Sequence, residues 1–239
     1  MPRRKLTLAL STLALLLLLS AVAQADPLVI NSYKQGWYTN TNTNNGVAPL
    51  NIPAAANGYF VGAGNGGEVS RNYFVFDLTS VTGVTSAQLR LYLPGYNSSD
   101  SDPSETYVLY DVQNQFISGL GSVENALVYG DLGSGTVYAG ITVLTPNSYA
   151  DSFLTIDLNA DALAAIQSSS GGLFAIGGAI TTLRNTPKQF CCEGLFLNSM
   201  GHPAQLLVNG QAIPEPATML LLATGMGGLL AAKSRRAKP

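Results

Sequence analysis

The chain alternates apolar and polar residues in short stretches separated by Gly, Asn, Pro and Ser. The clearest stretch is Ala87-Gln88-Leu89-Arg90-Leu91-Tyr92-Leu93. Ala87, Leu89, Leu91 and Leu93 fall on one face; Gln88, Arg90 and Tyr92 fall on the other. A period of two is that of a half-buried strand. Tyr73 to Leu78 and Thr106 to Val112 are dense in aromatic and β-branched residues and predict two more strands. Thr136–Leu144, Phe153–Leu158, Gly172–Ile180, Glu193–Leu197 and Gln205–Val208 continue the series. Leu28–Tyr33 and Tyr59–Val61 open it. One helix is predicted over Ala160–Gln167, with Asn159 as its cap, Asp161 at its positive end and Gly171-Gly172 as its stop. About ten short strands and one helix predict an all-β fold, a jelly-roll-like β-sandwich with one short α-helix.

Two apolar runs do not belong to that pattern. Arg3, Arg4 and Lys5 precede an apolar stretch from Leu6 to Val22, which ends in Ala23-Gln24-Ala25. This order predicts a signal peptide over residues 1–25, cut after Ala25, with small residues at Ala23 and Ala25 for the peptidase. The second run, Ala217–Ala232, follows Pro214-Glu215-Pro216 and precedes Lys233, Arg235, Arg236 and Lys238. Its 16 residues make about 24 Å of helix, a marginal membrane span whose basic tail stays in the cytoplasm. The two prolines resist helix and keep the triplet extended at the membrane face. The chain thus divides into residues 1–25, an extracellular β-sandwich domain over 26–212, and a terminal signal over 213–239. The middle is long enough to bury a core.

Charge sharpens this division. Charged residues make up 11% of the 239, against about 25% in ordinary domains. The net charge of −2 hides basic ends around an acidic middle. Residues 26–212 hold Lys34, Arg71, Arg90, Arg184 and Lys188 against 13 acids, a net of −8. So acidic a middle argues against nucleic acid as a partner, because phosphate contacts need a basic patch.

The Pro-Glu-Pro triplet, the short apolar helix beginning Ala217-Thr218-Met219-Leu220 and the basic cluster together resemble the PEP-CTERM sorting signal of Gram-negative bacteria. The resemblance implies an exported protein, anchored transiently in the inner membrane and processed there by an exosortase-like enzyme. It further implies a final place in the cell envelope or extracellular matrix, with links to exopolysaccharide and biofilm. Phe74-x-Phe-Asp-Leu78, then Val84-Thr85-Ser86-Ala87-x-Leu-x-Leu and an acidic loop, resembles secreted β-sandwich modules with carbohydrate-binding relatives. Phe153-x-x-Ile156-Asp157-Leu158 and the helix after it extend that likeness.

Candidate chemistry is sparse. His202, the one histidine, lies in a Gly-His-Pro turn and reads as a solvent-facing loop residue. There is no Gly-x-Ser-x-Gly elbow and no zinc spacing. Cys191 and Cys192 are adjacent, so on a strand they face opposite ways and pair poorly with each other. The loop from Asn97 carries Asp100, Asp102 and Glu105. It reads first as a solvated polar loop, with Ca²⁺ as the alternative, since that ion takes six to eight oxygens. The low-complexity stretch Thr39–Gly46 reads as a surface loop, and Trp37-Tyr38 before it as core or sugar-stacking rings. The leading expectation is a non-enzymatic exported surface or matrix protein with no catalytic residues and no required cofactor. The alternative is a carbohydrate-binding module, calcium-dependent if the acidic loop takes part. A secreted glycan-cleaving enzyme comes third and needs two facing carboxylates roughly 5–10 Å apart.

Overall fold

Tyr73-Phe74-Val75-Phe76 is apolar at every position, which suits a strand buried on both faces. In the computed structural model it forms the middle of β4 (Val69–Asp77), and both faces of β4 are covered. The structure describes residues 26–40, 58–64, 68–93, 96–97, 103–121, 126–144, 152–183, 193–196 and 199–210. Pro27–Gly210 forms one compact unit.

Two sheets enclose the main core. The smaller has four strands in the order β1 (Leu28–Asn31), β12 (Gln205–Gly210), β5 (Val84–Leu93) and β9 (Ser152–Asp157), all antiparallel. One inward row runs Ile30, Leu206, Leu89, Ile156 across the four strands. The period of two in β5 is realised as expected: Ala87, Leu89, Leu91 and Leu93 are buried while Gln88, Arg90 and Tyr92 are half-exposed.

The larger sheet has eight strands. Its path runs β6 (Tyr96–Asn97), β11 (Glu193–Leu195), β3 (Val61–Ala63), β4, β10 (Leu173–Ile180), β7 (Ser104–Asp111) and β8 (Val137–Leu144). β2 (Lys34–Thr39) pairs with β4 beside that path. Phe74 and Phe76 of β4 face the smaller sheet and join Leu89, Leu91, Tyr107, Leu109, Phe174 and Leu206 in the main core. Tyr73 and Val75 point the other way, into a second cluster with Tyr38, Val112, Leu120, Val128 and Leu132. Two short helices, α1 (Asn114–Ile117) and α2 (Ala126–Asp131), contribute to that second cluster and cover this face. Arg71 of β4 holds the end of α2: its guanidinium donates to the carbonyls of Tyr129 and Gly130 at 2.8 and 3.0 Å.

The predicted helix is α3 (Ala160–Ser168). Asn159 caps it, its side-chain oxygen accepting from the Ala162 N–H at 3.0 Å while its amide donates to the Val137 carbonyl at 2.7 Å. The cap therefore also ties α3 to β8. Four elements go beyond the sequence pattern: β2, β6, α1 and α2. Among the described residues, no helix is long and apolar enough to cross a membrane. The terminal apolar runs lie outside those residues.

At the sandwich centre, Phe196 brings its ring within 5.4 Å of both Tyr59 and Tyr107. It does so with φ at 63°, a conformation that costs a non-glycine residue on the order of 1 kcal/mol or more. The Tyr107 hydroxyl donates to Asn72 Oδ1 at 2.8 Å, and the Asn72 amide donates to the Tyr59 carbonyl at 3.0 Å. Gly178 faces this network: a Cβ there would sit 2.3 Å from both Asn72 Oδ1 and the Tyr107 hydroxyl.

Candidate functional site

Two surfaces of the sandwich gather polar and aromatic side chains from distant parts of the chain. The first is the outer face of the four-stranded sheet. Tyr92 of β5 lies opposite Phe153 of β9, and their rings meet edge to face at 5.6 Å. His202, from the turn before β12, stacks on Tyr92 at 3.7 Å with planes 22° apart. The Arg90 guanidinium lies over Phe153 at 4.0 Å. The four side chains thus form a ladder across three neighbouring segments, each covering part of the next. Such contacts are worth about 0.5–1.5 kcal/mol each and stiffen the face. His202 occupies a turn, as its neighbours predict, but its ring is half-buried against Tyr92 rather than free in solvent. Gln35 of β2 fixes that turn from behind. Fully buried, it accepts from Ser32 Oγ at 2.7 Å and from the Ala204 N–H at 2.8 Å, and donates to the His202 carbonyl at 3.2 Å.

The second surface is a cleft of about 240 Å³ where β7, α1, β8, α3 and β10 meet. Asp111, Gln113, Asn114, Tyr138, Ser168, Ser169 and Phe174 are among its lining residues. Asp111 ends β7 and is held by a reciprocal pair with Thr136. Its N–H donates to the Thr136 carbonyl at 2.9 Å, and its Oδ1 accepts the Thr136 N–H at 2.6 Å. Between them in space, Gly135 has φ at 102°, and a Cβ there would come 2.2 Å from Asp111 Oδ1. Only glycine allows that approach. Gln113 is anchored by Asp131, whose two carboxylate oxygens accept its backbone and side-chain N–H groups at 3.0 and 2.6 Å.

Tyr138 is 5% exposed, and its ring stacks near Phe174 at 6.0 Å and 26°. Burial first, then the carboxylates of Asp111 and Asp161, push its phenol up to about 12. Among the described residues, four groups of the lining have no hydrogen-bond partner: Asp111 Oδ2, the Asn114 amide, the Tyr138 hydroxyl and the Ser169 hydroxyl. Nothing in the local spacing of these residues announces the cleft. They come from positions 111, 114, 138 and 169 and converge only through the fold.

The residues singled out in sequence are not brought together here. Glu105 lies on β7, fully buried, its carboxylate accepting a hydrogen bond from the Thr182 hydroxyl. Asp100 and Asp102 lie outside the described residues, as do Cys191, Cys192 and residues 41–46. Thr39 and Tyr38 are buried in β2, and Trp37 is half-buried. Among the described residues, no three of His, Cys, Asp and Glu gather as a metal-holding group. Ala23, Ala25, Pro214, Glu215, Pro216, Lys233, Arg235, Arg236 and Lys238 also lie outside the described residues.

Comparison with known proteins bears on that C-terminal segment. Residues 212–236 match the family model of the PEP-CTERM protein-sorting motif. The match takes in the Pro-Glu-Pro triplet, the apolar run and most of the basic cluster. No curated protein matches the chain. The motif implies an exported surface protein, transiently anchored in the membrane before an exosortase sorts it.

Proposed function

We propose that this chain, a carrier of a PEP-CTERM sorting signal, is a non-enzymatic protein of the cell envelope or extracellular matrix that binds polysaccharide there. Residues 1–25 are its signal peptide, residues 26–212 its working domain, and residues 213–239 the signal read by the exosortase-like enzyme. The observation that carries the reading is the sorting motif beginning two residues after β12 ends at Gly210. Cargo of this kind does its work after release, through the sandwich alone.

Expression in a host with an active sorting enzyme tests it, by fractionation and intact mass. The expected product starts at Asp26, lacks the apolar run and leaves the inner membrane. A mature protein retaining Leu220–Leu230 would overturn the processing claim. Replacing Pro214 and Pro216 by Ala is expected to trap the chain in the inner membrane.

The glycan part of the reading draws on the net charge of −8 over residues 26–212 and on the open polar groups of the cleft. An acidic surface disfavours acidic polymers unless a cation bridges them, so neutral polysaccharide is the expected partner. Co-sedimentation with insoluble polysaccharides, with and without Ca²⁺, tests this part. Asp100 and Asp102 are the residues to replace if the cation changes the result. Binding without release of reducing ends is the expected outcome.

A further inference from the structure

We propose that the cleft between α1, β8 and α3 binds one neutral pyranose, the terminal sugar of a polysaccharide chain. The inference deepens the proposed function and rests on it only for the extracellular setting. The argument starts from Tyr138. A hydroxyl on a side chain only 5% exposed ordinarily finds a partner within the protein. This one has none among the described residues and is not one of their fully buried polar atoms, so it opens to the cleft that its ring lines. A ligand hydroxyl in the cleft takes the place of the water that otherwise meets it.

The rest of the lining fits the same ligand. Asp111 Oδ2 is a carboxyl acceptor, suited to a sugar hydroxyl as donor. The Asn114 amide offers both donors and an acceptor, and the Ser169 hydroxyl can do either. These groups are neutral or acceptor-rich, and no Lys or Arg lines the cleft among the described residues. The carboxylate of a uronic acid would face Asp111, with Asp161 close by, and no compensating cation among the described residues. The volume of about 240 Å³ takes one sugar ring and not a chain of them. Pre-organisation is also present. Thr136 holds Asp111, Phe174 backs Tyr138, and Asn159 ties α3 to β8 across the site.

The outer-face ladder fits a sugar less well. Tyr92 is stacked on His202 and Phe153 is covered by Arg90, so their faces are already engaged within the protein.

The test is saturation-transfer NMR and titration calorimetry of the purified full chain. The probes are glucose, galactose, mannose, N-acetylglucosamine, glucuronate and calcium chloride. At least one neutral sugar is expected to bind saturably, and glucuronate at least about tenfold more weakly. Tyr138→Phe is expected to weaken the neutral sugar about tenfold with its thermal midpoint unchanged. Tyr33→Ser, in the exposed turn between β1 and β2, is expected to leave binding as it was. Failure of every neutral sugar to bind, equal binding of glucuronate, heat from calcium alone, or an unchanged affinity in Tyr138→Phe overturns the proposal. Co-sedimentation with polysaccharide in the absence of monosaccharide binding rejects the cleft while leaving the broader function standing. Tail processing is read separately, by mass.

Discussion

The hydroxyl of Tyr59 serves both backbone groups of Tyr92. It accepts the Tyr92 N–H at 2.8 Å and donates to the Tyr92 carbonyl at 3.3 Å. The paired register of β12 with β5 ends at Gln205 and Arg90, so Tyr92 lies beyond it. A buried side chain from the segment just before β3 stands in for the missing strand. Tyr59→Phe removes that substitute and leaves two polar backbone groups poorly satisfied. The expected loss is about 1–3 kcal/mol, read as a lower urea midpoint with unchanged m-value. Since Tyr138→Phe removes a hydroxyl with no internal partner, it is expected to shift the midpoint little. The two substitutions are chemically identical, so the contrast isolates the role of the hydrogen bonds.

Gly178→Ala places a methyl 2.3 Å from Asn72 Oδ1 and from the Tyr107 hydroxyl. The two side chains cannot both move away without breaking the 2.8 Å bond between them. Overpacking of this kind costs about 1–3 kcal/mol, and the lost bond between buried groups adds to it. A large drop in thermal midpoint is expected, without loss of sorting-motif recognition in a peptide assay. Gly171→Ala is a useful comparison, because its methyl would meet nothing within 4 Å. It tests instead the cost of a positive φ, here 83°, at about 1 kcal/mol.

Asn159→Ala removes a helix cap and a tie to β8 at once. The cap alone is worth about 1 kcal/mol. Asn159→Asp keeps an acceptor for the Ala162 N–H but loses the donor to Val137. A graded result is expected, with Asp between wild type and Ala, in equilibrium unfolding.

Alkali is expected to unfold the domain. Burial pushes the phenols of Tyr59, Tyr73 and Tyr107 far above their ordinary value of 10.0, and that of Tyr138 up to about 12. Below pH 10 these groups are protonated in both states and stability does not depend on them. Above it, the unfolded chain ionises while the folded one does not, so unfolding releases protons. Stability then falls by about 1.4 kcal/mol per pH unit for each phenol until its folded pKa is reached. Urea midpoints measured at rising pH, with phenolate absorbance followed in parallel, check the slope. A midpoint that stays flat above pH 10 would contradict the burial of these rings.

Much of the sandwich is legible in sequence because each strand carries its own period. β5 shows its buried and exposed faces residue by residue, and Asn159 shows the start of α3. β2 is different. Its buried positions include Gln35 and Gly36, which read as polar and flexible. Gln35 tolerates burial only because Ser32, His202 and Ala204 satisfy its amide, and the last two lie 167 and 169 residues away. Glu105 shows the same limit. Beside Asp100 and Asp102 it looks like part of a solvated loop, yet it begins the buried side of β7 with Thr182 as its partner. The cleft is hidden for the same reason, since Asp111, Tyr138 and Ser169 meet only after three strands and a helix have been placed. The sorting signal is the opposite case. Its match is confined to residues 212–236, one continuous stretch of chain, and can be read directly.

Among the described residues β12 is the last strand, yet it sits inside the smaller sheet, between β1 and β5. β1 and β5 therefore have no contact edge to share until the chain has emerged as far as Gly210. For an exported protein this sets an order of events. The first strand must wait for β12 until the chain has been exported as far as Gly210, and the sheet closes only as the sorting signal follows. Completion of folding and arrival of the signal then fall within a few residues of each other. A chain delayed at that point would present an open sheet edge between β1 and β5.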